Sequence, residues 1–158
     1  MTTIILTIIG ILLAAAAALM VIFYGGDAFN SGTVGAQANQ VQNAGTNVSS
    51  AIQMFKAERA VGPAGLAELR TALPNGIGAY LDEDPALPQG ATASIVNGTG
   101  NVRIYQVTGV TGQVCARINT NLRNPAIATG TAVTAAGPKM GCVPGATPAA
   151  VGTFYARA

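Results

Sequence analysis

The stretch Met1–Tyr24, MTTIILTIIGILLAAAAALMVIFY, carries no charged residue and stops at Gly25-Gly26. A hydrocarbon core about 30 Å thick is crossed by roughly 20 apolar helical residues. Ile4 to Tyr24 supplies that length, with Thr7 and Gly10 as mild interruptions, so this segment reads as a helix of membrane grade. A secretory signal begins with a basic stretch and ends in a small-residue cleavage site, whereas this run opens Met-Thr-Thr and ends Phe23-Tyr24. A plain anchor keeps Lys or Arg on its cytoplasmic flank, and here the first is Lys56. The missing flank points to a basic leader already removed, with Met1 as residue one of the mature chain. With Met1 as the initiator, the segment reads as an anchor lacking that flank.

The remainder has room for one small domain. The chain has 158 residues, half of them apolar, which allows one transmembrane helix and one core of ordinary single-domain size. Charged residues make up 9% of the chain, the net charge is +2, and the basic side chains are scattered from Lys56 to Arg157. Binding to a phosphate backbone rests on clustered Lys and Arg, so nucleic acid is excluded as the main partner. There is no His, and the two cysteines are Cys115 and Cys142. An even pair without other metal-ligand types reads as a disulfide formed in an oxidising compartment, worth about 3 kcal/mol through chain entropy. Two buried thiols are the alternative. Structural zinc wants four Cys or His ligands.

Beyond Tyr24, Gly25, Gly26 and Gly32 weaken a helix by about 1 kcal/mol each relative to Ala. Residues 25–33 therefore read as a bend or unwound hinge, which divides the chain into 1–24, 25–33 and 34–158. After the hinge, Val34, Ala38, Val41, Gly45, Val48, Ile52 and Phe55 recur at alternating spacings of four and three, an apolar seam on a polar helix. Gln37, Asn39, Gln40, Gln42, Asn43, Asn47 and Gln53 face elsewhere, so the seam should lie on a sheet or partner helix, and an intramolecular core is the favoured use. Gly62-Pro63 ends this helix, and Leu66–Leu73 reads as a short helix stopped by Pro74-Asn75-Gly76. Thr92–Val96 and Val102–Val110, joined through Asn97-Gly98, read as a hairpin. Gln113–Leu122 reads as a helix with Val114, Ile118 and Leu122 on one face and Cys115 beside them. Thr129–Thr134 and Val151–Tyr155 are further strand candidates, with turns at Gly137-Pro138 and Pro144-Gly145.

This layout resembles the type IV pilins, and within them the type IVb group that includes thin conjugative pilus subunits. The resemblance rests on the apolar start at Met1–Tyr24, the helical continuation from Val34 to Phe55, and Cys115 and Cys142 bracketing the C-terminal region. Two local runs add to it: Asn47-Val-Ser-Ser-Ala-Ile-Gln-Met-Phe55 and Val114-Cys-Ala-Arg-Ile118. It implies an α+β fold in which a long hydrophobic N-terminal helix with a glycine hinge packs on a small antiparallel sheet with short helices and a C-terminal disulfide region. It further implies a structural subunit, held in the bacterial inner membrane, processed by a leader peptidase and passed by the pilus assembly machinery into a filament on the cell surface. Self-association would run through Met1, Ile4, Ile5, Ile8, Ile9, Leu12, Ala15, Leu19 and Ile22 in the filament core. The small residues Ala14–Ala18 let helices approach closely there. No cofactor is implied.

One position departs from the pattern. Family members usually carry glutamate as the fifth mature residue, which is taken to neutralise a neighbour's α-amino group, whereas this chain has Ile5 and no acid before Asp27. A cation at a helix N-terminus meets the positive end of the dipole. The Met1 amine must then stay solvated, lose its proton, or lean on the Thr2 and Thr3 hydroxyls. Some tip-forming minor members also lack that acid, so a minor pilin or pseudopilin of a secretion filament is the second reading. An accessory or binding domain held by one permanent span is the third.

Other features carry less. Asp82-Glu83-Asp84-Pro85 lacks the spaced ligands and turn glycine of a calcium loop and reads as a solvated loop. Catalysis lacks a histidine, a paired-carboxylate motif or a serine elbow. Asn47-Val-Ser49 and Asn97-Gly-Thr99 match a glycosylation tripeptide at the frequency expected by chance. Phe23, Tyr24, Phe29 and Phe55 read as interface anchors and core rather than as an electron path.

Overall fold

The computed structural model describes residues 2–71, 79–98, 100–124, 127, 138–147 and 150–158, with the backbone alone at 2, 24, 27 and 28. The chain divides into two units, Met1–Val34 and Gly35–Ala158. One helix, α1 (Thr2–Arg59), supplies the described part of the first unit and enters the second. The expected unwinding at residues 25–33 does not occur: Gly25, Gly26 and Gly32 all lie within continuous α-helix. Their propensity penalty of about 1 kcal/mol each is offset because extending a formed helix adds one hydrogen bond per residue fixed, while starting a new one requires a costly nucleus.

In the second unit the seam of α1 is core. Ala38, Val41, Val48, Ile52 and Phe55 are buried, together with Ala44 and Ala51 on the same face. Gly45 takes the closest approach to the sheet. A Cβ built there would stand 2.6 Å from the Phe154 ring and 3.4 Å from the Ala156 Cβ, closer than any alanine could sit undisturbed. Beyond α1, the five-residue α2 (Leu66–Arg70) is shorter than expected, and Leu73 with Pro74-Asn75-Gly76 lies outside the described residues.

The sheet contains β1 (Thr92–Asn97), β2 (Arg103–Val110), β3 (Met140–Val143) and β4 (Gly152–Arg157), in the order β1-β2-β4-β3 with each pair antiparallel. The β1–β2 hairpin matches its expectation to within a residue. Its second strand is bulged where the register shifts between Thr108 and Val110. Gly109 at the bulge has φ +85°, and a Cβ there would meet the Gly90 carbonyl oxygen at 2.5 Å, so both backbone sign and space demand glycine. The helix α3 (Gly112–Asn121) follows, burying Val114, Cys115 and Ile118.

The last strand begins at Gly152 and runs to Arg157, later than Val151–Tyr155. The strand β3 had no counterpart in the pattern, since Met-Gly-Cys-Val is too short to show alternation; its pairing with β4 defines it. Thr129–Thr134 and Gly137 lie outside the described residues. Alternation along the strands covers both faces of the sheet. Tyr105, Val107, Phe154 and Ala156 are buried on the face to which Gly45 packs, and Ile104, Val143 and Tyr155 form a second cluster with Val96, Val102 and Ile127.

Candidate functional site

The segment that sets this molecule apart is the first turns of α1. Thr3–Phe23, 21 residues of mean hydropathy 2.9, is long and apolar enough to cross a membrane, and none of it is buried within the chain. Within it the Thr7 hydroxyl is satisfied by the helix itself, donating to the Thr3 carbonyl at 2.8 Å, as suits a helix in hydrocarbon.

The residues assigned to a filament core all sit on this uncovered surface. Ile4, Ile5, Ile8, Ile9, Leu12, Leu19 and Ile22 are each about half exposed or more, Ala15 is exposed, and Met1 lies outside the described residues. At about 100° per residue they share one side of the helix. Burial does not single that side out, because Leu6, Ile11, Leu13, Met20 and Val21 are as exposed. The signal for these five was present in the sequence as the same unbroken apolar run. Within residues 25–33, a Cβ at Gly26 or Gly32 would meet open space, and one at Gly25 would reach only the Phe29 ring at 4.0 Å.

In the second unit Cys115 and Cys142 are joined as expected. Both are fully buried, with Cα atoms 5.3 Å apart at a sequence separation of 27. The bridge ties α3 to β3, and Asn119 reinforces it: its side-chain amide donates to the Cys142 carbonyl at 2.7 Å while its oxygen accepts the Cys142 N–H at 2.9 Å. Asn124 donates to the Met140 carbonyl at 2.7 Å. These asparagine contacts were not legible in sequence, because they join residues whose proximity only the tertiary fold creates.

Ionisable groups are mostly at the surface. Asp84 of the acidic loop pairs with Arg70 at 3.1 Å, both side chains largely exposed. The Tyr80 hydroxyl donates to Glu58, its ring packs against Phe55, and the Arg59 guanidinium lies 4.9 Å from the centroid of that same ring. Among the described residues no three His, Cys, Asp or Glu side chains converge on a metal position. The Tyr105 hydroxyl is buried without a partner among the described residues. Burial, and secondarily the negative charge of Asp84, pushes its pKa up to about 12.

Hollows open on the second unit among the described residues. One of about 410 Å³ lies between the start of α3 (Gly112, Gln113, Ala116) and Pro144–Thr147, with no charged side chain in its wall. Another, about 360 Å³, is lined by Phe55, Arg59, Val61, Gly62, Ala64, Glu68 and Thr71. No protein family, curated protein or solved structure matches this chain.

Proposed function

We propose that this chain is a structural subunit that polymerises into an extracellular filament of the type IV pilus kind through its N-terminal helix. The observation that carries the reading is the wholly uncovered apolar segment Thr3–Phe23, which runs without interruption into a helix whose other half is core of a disulfide-closed domain. Uncovered apolar surface of that extent needs a nonaqueous environment. Lipid supplies it before assembly, and neighbouring copies of the same helix supply it afterwards. The leader peptidase and the assembly machinery are the partners this route requires, and the bacterial inner membrane and then the cell surface are its locations.

Electron microscopy of sheared surface filaments, with helical reconstruction, tests the proposal. The expected result is a central bundle built from residues 1–24; a filament of this chain lacking that bundle would overturn it. Ile5, in a run without any acid, favours a low-abundance subunit as the second reading. Finding this chain as the bulk component of purified fibres would eliminate that alternative.

A further inference from the structure

The two edges of the sheet are finished differently. On β3, the bond from the Arg157 N–H to the Lys139 carbonyl sets the parity, so that Met140 and Cys142 turn their backbone groups outward. Asn119 occupies both groups of Cys142 and Asn124 the carbonyl of Met140. That edge is closed by side chains that imitate a neighbouring strand.

On β1 the bond from the Gly98 N–H to the Val102 carbonyl makes 98, 96, 94 and 92 the residues bonded to β2. Ala93, Ile95 and Asn97 therefore direct their N–H and C=O groups to the outside. Among the described residues no hydrogen bond reaches any of these groups. The strand Thr-Ala-Ser-Ile-Val-Asn contains no charge and no proline, and its register with β2 has no bulge. Those are the devices that ordinarily stop an exposed edge from pairing.

We propose that the open edge of β1 pairs with β1 of a second copy of this chain, antiparallel about a two-fold axis at Ile95. The edge is self-complementary in this register. Ile95 exchanges N–H and C=O bonds with Ile95 of the second copy, and Ala93 does so with Asn97, so every outward residue is used. A closed two-fold contact sets the residue on the axis opposite its own copy and pairs the others reciprocally, so any charge on the edge would face a like charge at or near the axis; this strand has none. The half-buried Ile95 side chain gains an identical apolar neighbour on the same face of the extended sheet. The contact involves only the second unit and is separate from the use of residues 1–24.

Cysteine cross-linking of the full chain in detergent micelles tests the register, because both native cysteines are already bridged. Directly opposed, hydrogen-bonded residues stand with Cα atoms about 5.5 Å apart, inside the disulfide range, whereas residues offset by four along a strand are more than about 12 Å apart. Ile95→Cys is expected to form a covalent dimer alone. Ala93→Cys and Asn97→Cys are expected to do so only when mixed, giving about ten-fold more dimer than either alone. Ala93→Pro added to Ile95→Cys is expected to abolish the dimer, because a proline whose nitrogen faces outward spares the β2 ladder and blocks the edge. Absence of any cross-link would overturn the proposal. So would equal cross-linking of all three single variants, or an Ile95→Cys dimer indifferent to the proline.

Discussion

At the residue scale, Gly45 and Tyr105 show how tightly the second unit is built. A methyl group at Gly45 would stand 2.6 Å from a Phe154 ring that is itself fully buried. Overpacking of this kind costs about 1–3 kcal/mol, against a helix-propensity gain of about 1 kcal/mol. Gly45→Ala is therefore expected to lower the thermal midpoint, as followed by circular dichroism, despite being the better helix former. Tyr105 predicts a pH effect. Below pH 10, the ordinary tyrosine value, folded and unfolded chains both hold the proton. Between there and the folded value of about 12 only the unfolded chain releases it, so stability falls as pH rises through that window. Tyr105→Phe should flatten this loss in denaturant titrations at pH 9 and 11, leaving a residual slope from Tyr155, also raised chiefly by burial. At neutral pH the variant should match or exceed the parent by up to about 1 kcal/mol, since the lost hydroxyl is buried and unpartnered among the described residues.

At the scale of elements, the bridge between α3 and β3 and the unbroken run of α1 make separate predictions. Cys115 and Cys142 stand at a sequence separation of 27, and closing a loop of that length is worth about 3.5 kcal/mol in the chain-entropy account. Reduction, or paired Cys→Ala substitution, should lower stability by that order in chemical denaturation. The glycines of 25–33 are helical with room for a methyl group. Gly25→Ala with Gly26→Ala should strengthen the helix by up to about 1 kcal/mol per site, read as slower amide exchange across that stretch. The elements most legible in sequence were those with a long pattern: the seam of α1, the β1–β2 hairpin, and the face of α3. The unwound hinge was misread because glycine propensity is a local penalty while helix propagation is cooperative. The strand β3 escaped notice because four residues carry no period, and its strand character comes from β4 and the two asparagines.

For the whole molecule, the uncovered helix is long and apolar enough to cross a membrane. Leu12, 64% exposed near the middle of Thr3–Phe23, would face hydrocarbon in a membrane. Leu12→Lys is expected to weaken insertion by about 2.5–3.5 kcal/mol, moving the chain from the membrane fraction into the soluble fraction on carbonate extraction. The second unit, Gly35–Ala158, has its own buried core and bridge, so its disulfide and far-ultraviolet spectrum should survive that substitution.

What the chain of residues determined alone was the presence of a membrane-grade helix, an α+β domain behind it and a cysteine pair able to join. Each of those rests on composition or short-range periodicity, which are written locally. Tertiary structure alone decided that Gly45 packs against the sheet, that one sheet edge is capped by Asn119 and Asn124, and that the other, among the described residues, is open at Ala93, Ile95 and Asn97. It also decided that Tyr105 carries a buried hydroxyl. These properties depend on which distant residues are brought together, and strand order and register, unlike hydrophobicity, are set only when the whole domain closes.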